Sequence, residues 1–235
     1  MPALVYLIPS FLSDDAVETI PAYIVEALRQ CTVIFAENER TVRRFLKSIW
    51  PGIVIDDYEW FPIHKMEEDQ LNNFKQKIRE DKTIAIISEA GCPGVADPGQ
   101  KLIAAAQELN CKVKPLVGPS SILLALMASG MNGQRFEFAG YLPIDTVERI
   151  QALKDIESTS RKKNSTQVFI ETPYRNDALL ETILKTCHPH TRLCIAADIT
   201  AKEEFIKTTT IDAWKNKKPA LHKRPVIFLL YAGNP

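Results

Sequence analysis

Residues 84–102 read Ile84-Ala85-Ile86-Ile87-Ser88-Glu89-Ala90-Gly91-Cys92-Pro93-Gly94-Val95-Ala96-Asp97-Pro98-Gly99-Gln100-Lys101-Leu102, an apolar run that meets three glycines and two prolines before a helical pattern begins. Ile84 to Ile87, bounded by turn residues, has the pattern of a strand buried on both faces, as in a parallel sheet. Ala90 to Gly99 reads as a long, stiff loop of small residues. Asp97-Pro98 predicts a helix start, with Asp as N-cap and Pro at the first helical position. A loop of this kind at the carboxyl end of a parallel strand is where open α/β folds bind ligands. The plainer alternative is a tight connection and nothing more.

Outward from this stretch, strand-like runs alternate with helical ones. Leu4–Ile8 predicts the first strand, and Val17–Gln30 a helix with Ile20, Ile24, Ala27 and Leu28 on one face. Val33–Ala36 predicts a second strand, Thr41–Ile49 a helix, Val54-Ile55 a short strand, Asp69–Glu80 a polar helix and Lys112–Leu116 a further strand. At Val117-Gly118-Pro119-Ser120-Ser121 the pattern punctuates again, and Ser120 or Ser121 can cap an apolar helix, Ile122–Ala128, ending near Gly130. Strands at Phe136–Ala139, Gln167–Glu171, Arg192–Ala196 and Val226–Tyr231 follow, with helices near Val147–Ile156 and Asp177–Thr186 and a polar hairpin through Phe205–Ile211. The βαβα order implies a mostly parallel sheet in the first half. The second half mixes parallel and antiparallel signals. The expected fold is two α/β domains, residues 1–116 and 117–235.

Apolar residues make up 46% of the chain and charged residues 25%, the profile of a globular protein in water. No apolar run is long enough to cross a membrane, and Met1-Pro2-Ala3 leads straight into a strand, so neither a membrane span nor a signal peptide is expected. Cys31, Cys92, Cys111, Cys187 and Cys194 show neither metal spacing nor a disulfide framework, which suggests a reducing, cytoplasmic setting. The net charge of zero argues against a strongly basic nucleic-acid binder. It hides an offset, since residues 1–150 hold 15 Lys/Arg against 20 Asp/Glu and residues 151–235 hold 14 against 9. The second half can therefore receive an anionic partner.

Several common chemistries are absent. Gly91, Gly94 and Gly99 do not spell G-x-G-x-x-G, and there is no G-x-x-x-x-G-K-[ST] and no G-x-S-x-G. His64, His188, His190 and His222 lack metal spacing. Two Gly/Pro loops remain, Ser88–Gly99 and Val117–Ser121, each between a buried strand and a helix. Small side chains let a backbone approach a ligand closely, and helix N-termini offer N–H groups.

Those residues carry a resemblance. Ser88-Glu89-Ala90-Gly91-Cys92-Pro93 through Asp97-Pro98-Gly99 resembles the S-D-A-G-T-P…D-P-G motif of the tetrapyrrole methylase superfamily, and most closely its branch of ribosomal RNA small subunit methyltransferase I. Gly118-Pro119-Ser120 is similar to that family's G-P-[SC], and Arg135-Phe136 with Gly140-Tyr141-Leu142-Pro143 to its R-F…G-[FY]-L-P. Ala36-Glu37…Arg40, Phe169-Ile170-Glu171-Thr172-Pro173…Arg175 and Ile199-Thr200-Ala201-Lys202…Glu204 resemble three more of its motifs, in family order. Departures occur at Pro9-Ser10-Phe11-Leu12-Ser13-Asp14-Asp15, where the family has P-T-P-I-G-N-L, and at Asn38-Glu39, Glu89 and Cys92.

The resemblance implies S-adenosylmethionine bound in a cleft between the two domains, a homodimer, and methylation of a ribose 2′-hydroxyl in small-subunit ribosomal RNA. By motif, it implies cofactor contacts at Pro9, Ser88, Glu89, Ala90, Gly91, Cys92, Pro93, Val95, Ala96, Gly118, Pro119, Ser120, Ser121, Phe169, Ile170, Glu171, Ala196 and Ala197. Relatives in the superfamily that methylate tetrapyrroles or other small molecules give a second reading, and a cofactor-binding protein without turnover a third. Methyl transfer from a sulfonium depends mainly on placing donor and acceptor together. A ribose hydroxyl is a poor nucleophile, so a nearby acceptor helps, and Glu37, Glu171 and Lys202 are the candidates. Against these, Glu37 could pair with Arg40 or Arg43, and Glu171 could cap backbone amides. Basic clusters at Arg43-Arg44…Lys47, Arg161-Lys162-Lys163 and Lys215…Lys217-Lys218…Lys223-Arg224 could grip phosphates or simply be solvated, the triplet at 161–163 being expected in a loop. Tyr58, Trp60 and Phe61 could stack on a base or pack in the core.

Overall fold

The computed structural model describes residues 2–63 and 68–233. His64 lies outside them. The chain forms two compact units, Met1–Ser120 and Ser121–Pro235.

The first unit is a five-stranded sheet of order β3-β2-β4-β1-β5, every neighbouring pair parallel. Its strands are β1 (Leu4–Ile8), β2 (Val33–Ala36), β3 (Glu59–Pro62), β4 (Thr83–Ile87) and β5 (Lys112–Pro115). Their crossovers are α1 (Tyr23–Leu28), α2 (Glu39–Ile49), α3 (Glu68–Arg79) and α4 (Gln100–Glu108). Ile84 to Ile87 are fully buried, and one core cluster gathers Ile8, Ile34, Ala85 and Ile87 while another gathers Val5, Phe35, Ile84 and Ile86. Alternate residues thus face alternate layers of helices, which is why these strands read as unbroken apolar runs.

Three local expectations are corrected here. Val17–Gln30 is not one helix: Pro21 cannot continue it, and a 3-10 turn at Val17–Thr19 precedes α1. Val54-Ile55 is no strand but the entry to a 3-10 turn at Ile55–Asp57, and the strand is β3, just beyond. Asp97 does not cap a helix. Its Oδ1 accepts the amides of Gly94 and Gly99, both at 2.8 Å, so it closes the loop upon itself, and α4 begins at Gln100.

The second unit is a mixed sheet of order β6-β7-β10-β8-β9, with β6 and β7 parallel and the other pairs antiparallel. The strands are β6 (Phe136–Tyr141), β7 (Thr166–Ile170), β8 (Arg192–Ala197), β9 (Phe205–Thr210) and β10 (Val226–Tyr231). The helices are α5 (Ser121–Ser129), α6 (Thr146–Lys163), α7 (Asn176–Thr186) and α8 (Ile211–Asn216). The expected hairpin Phe205–Ile211 is instead the single strand β9 paired with β8, and Ile211 is already the first residue of α8, where the Thr210 hydroxyl accepts the Ala213 amide. Arg161-Lys162-Lys163 is no loop but the last turn of α6, where cations complement the helix dipole. Asn164, left-handed at φ 51°, ends that helix.

Candidate functional site

In a parallel sheet every strand ends on the same edge, so the segments after β1, β2, β4 and β5 share one rim. The structure sews three of them together. Ser10 and Gly91 form an isolated antiparallel bridge, Ser10 N to Gly91 O at 2.9 Å and Gly91 N to Ser10 O at 3.1 Å. The Ser10 hydroxyl donates to Ser88 O at 2.8 Å, and the Ser88 hydroxyl to Gly91 O at 3.0 Å. The first loop, which departs from the family pattern, is thus the strut of the second. Gly118 lies against Pro9 so closely that a Cβ there would fall 2.2 Å from Pro9 Cγ. The Cys92 thiol donates to Pro119 O at 3.5 Å, and the Val117 amide to the Tyr23 hydroxyl at 2.6 Å.

The result is a cradle with a buried floor and an open rim. Pro9, Ser10, Ser88, Gly91, Pro93 and Pro119 are buried, whereas Glu89, Ala90, Val95 and Ala96 are exposed. Val95 is 50% exposed and Val117 71%, an apolar surface left to solvent. Gly91 (φ 73°) and Gly94 (φ 81°) take backbone angles that a side chain resists, and Ala96 (φ 58°) takes one too. Burial pushes the Asp97 carboxyl above the usual carboxylate range despite its two amide donors. Burial likewise raises the Cys92 thiol, with Asp97 adding to it, so this cysteine stays protonated. Glu37, after β2, accepts the Glu89 amide on Oε2 at 2.7 Å, and the Glu89 carboxylate in turn accepts from Asn38 and Thr41. Glu37 therefore clamps the rim, and it is Glu39 that holds Arg43, at 2.6 Å.

In the second unit Glu171 follows β7 with its side chain fully buried. Its Oε1 accepts from Thr172 N (2.7 Å), Arg175 Nε (3.0 Å) and Arg175 Nη2 (2.6 Å). Its Oε2 is buried with no partner among the described residues. Burial pushes the carboxyl up, but the Arg175 guanidinium and the Thr172 amide outweigh it and hold the group below the usual range. Phe169 points into the core, stacked on Phe228 at 5.8 Å, and Ala196 and Ala197 are fully buried beside β10. Ile170, at the end of β7, is half-buried. Lys202 is exposed in the turn after β8, whose Thr200 has φ 73°. Ser120 ends the first unit and Ser121 opens α5.

Tyr58, Trp60 and Phe61 pack rather than present a stacking face. Phe61 stacks on Phe35 at 4.8 Å, Trp60 donates to Ile55 O, Tyr58 donates to Leu28 O, and Arg43 sits over Trp60. Arg44 pairs with Asp14, Lys218 with Glu181 and Arg224 with Asp198. In the sequence Arg175 is named only as the end of a motif and Ser10 only among the departures from the family pattern, neither with a role. The Glu-to-Arg spacing of four residues was the available signal for Arg175; Ser10 had none.

Residues 16–214 match the family described as Tetrapyrrole (Corrin/Porphyrin) Methylases. Ribosomal RNA small subunit methyltransferase I of Buchnera aphidicola subsp. Schizaphis graminum is 29% identical over 234 residues, covering 98% of this chain and 78% of that protein. The protein of the same name from Micromonospora olivasterospora is 33% identical over 175 residues, covering 74% of this chain and 53% of its own length. The fold is that of a uroporphyrin-III C-methyl transferase from Thermus thermophilus solved with S-adenyl homocysteine (TM-score 0.57, 16% identity, 97% of this chain and 96% of that one).

Proposed function

The chain belongs to the tetrapyrrole methylases, and from that premise we propose that it transfers a methyl group from S-adenosylmethionine to a ribose 2′-hydroxyl of small-subunit ribosomal RNA. The observation that carries the acceptor is likeness along nearly the whole chain to proteins named for that RNA. The cofactor is supported by the first unit's cradle. Gly91 and Gly118 let the loops pack tightly on Leu12, Pro119 and Pro9, the small Ala90 stands exposed on the rim, and Val95 and Val117 offer apolar surface suited to a purine.

Ser88 to Pro93, with Gly118 to Ser120, would hold the cofactor, and Pro9 and Glu37 would keep these loops in place. S-adenosylmethionine supplies, when bound, a methyl group on a positively charged sulfur. The remaining task is to orient a hydroxyl and receive its proton. Glu171 is held ionised by Arg175, and its buried Oε2, without a partner among the described residues, is the candidate to accept a hydroxyl hydrogen bond. A carboxylate with a lowered pKa orients better than it deprotonates. Action in the cytoplasm as a homodimer completes the reading. The exposed Leu123, Met127, Ile144 and Val147 of the second unit support the dimer.

The test uses tritiated S-adenosylmethionine and small ribosomal subunits from a host lacking an enzyme of this branch. Label on a single ribose 2′-hydroxyl is expected. Cofactor binding without label would move the reading to a tetrapyrrole or other small acceptor, or to a protein that binds without turnover.

A further inference from the structure

Within the second unit, a cavity of about 370 Å³ opens at the end of the sheet opposite Ala197. Three neighbouring strands frame it, since Arg192 opens β8 and is in register with Thr210 on β9 and Tyr231 on β10. Ala197 stands five residues along β8, roughly 17 Å away at strand rise. Arg161 enters from the last turn of α6, and His188 and His190 from the turn before β8. Among the described residues no carboxylate lines the cavity. The neighbouring Glu157 accepts the His188 amide at 2.8 Å and the Thr191 hydroxyl, which pins the histidine turn.

We propose that this cavity binds the phosphate group of a nucleotide. Arg192 lies with its guanidinium over the Tyr231 ring, 4.7 Å from the centroid, and the Tyr231 hydroxyl donates to Asn164, which fixes that ring. Stacking occupies the flat face of the guanidinium and leaves its N–H rim for an oxyanion. Neither Arg192 nor Arg161 has an ion-pair partner among the described residues. A helix dipole alone would account for Arg161, and a stacked ring alone for Arg192. Neither accounts for two arginines and two histidines lining one cavity in which, among the described residues, the neighbouring acid Glu157 is engaged by the His188 amide and the Thr191 hydroxyl. Paired planar donors suit phosphoryl oxygens. The volume falls in the range of small-ligand sites and exceeds what a phosphate needs, which leaves room for the attached sugar. The two imidazole rings, 5.5 Å apart, offer faces to a base.

The phosphate has two possible sources, a free mononucleotide or a nucleotide within RNA; the RNA source rests on the ribosomal reading above, the mononucleotide source does not. The test is calorimetric titration of the whole protein with uridine 5′-monophosphate, uridine and a uridine octanucleotide, with S-adenosylhomocysteine saturating so that binding at the cofactor loops is blocked. The monophosphate is expected to bind at least tenfold more tightly than uridine, and R161Q/R192Q to lose that advantage with unchanged affinity for S-adenosylhomocysteine. Arg161→Glu, on an exposed helix end, tests the site without disturbing the Tyr231 stack and is expected to weaken the monophosphate at least fivefold. Octanucleotide binding that falls in the same variants assigns the phosphate to RNA; binding that persists assigns it to a free nucleotide. A monophosphate that binds no better than uridine, or as well to the variants as to the wild type, overturns the proposal.

Discussion

At the scale of single residues, Gly118 packs against Pro9 with no space for a side chain. A methyl group on residue 118 would sit 2.2 Å from Pro9 Cγ and 2.3 Å from Pro9 Cβ. Gly118→Ala is therefore expected to destabilise the protein by about 1–3 kcal/mol through overpacking and to weaken S-adenosylmethionine at least tenfold by calorimetry. Pro9→Gly in the same chain removes both clashing atoms and should restore most of the binding; Pro9→Ala keeps the Cβ and should not. Glu171 supplies a prediction in pH. Its carboxyl is held low, so its ionisation favours the folded state above about pH 4.3, the unfolded value, and that contribution fades as pH falls through the lowered folded value. Glu171→Gln should cost about 1–3 kcal/mol at pH 7, the scale of a charge-assisted buried bond. The gap from wild type in thermal melts should then narrow below pH 4. Glu171→Ala also strands Arg175, so loss of turnover in that variant alone would not separate chemistry from folding.

At the scale of elements, the loop from Cys92 to Gly99 depends on Asp97. Asp97→Ala removes the acceptor of two amides and is expected to cost about 1–2 kcal/mol in a denaturant titration. Asp97→Asn keeps an Oδ1 for both and removes a carboxyl whose burial disfavours ionisation, a penalty that grows as pH rises through its raised value. Asn should therefore match or exceed wild-type stability at pH 7. Which elements could be read beforehand follows from burial. β1, β2, β4 and β10 announce themselves because helices cover both faces or the strand sits at mid-sheet, which leaves near-continuous apolar runs. β3 does not: it is a four-residue edge strand, half-buried, ending in Pro62. The Gly/Pro loops of the site were legible as punctuation, since such residues mark backbone angles. The Ser10 hydroxyl bond to Ser88 spans 78 positions and leaves no local trace. The Arg192 cavity is equally silent, because it exists only once three strands lie abreast.

At the scale of the whole molecule, binding should be visible as stability. S-adenosylhomocysteine at a hundred times its dissociation constant adds about 2.7 kcal/mol if only the folded state binds it. For a chain of this size the melting temperature should rise by roughly 5–11 °C, and Gly118→Ala should abolish most of the rise. Light scattering is expected to give the mass of a dimer, and Met127→Lys with Val147→Lys, at positions 78% and 76% exposed, to give a monomer. One property of the architecture reaches back before the finished protein exists. The first unit is an uninterrupted segment, Met1–Ser120, and no strand of its sheet is lent by the second. At 5–20 residues per second, the 115 residues of the second unit occupy the ribosome for roughly 6 to 23 s more. During that interval the emerging chain can close its parallel sheet and knit Ser10 to Gly91, so the cradle matures while the second unit is still being translated.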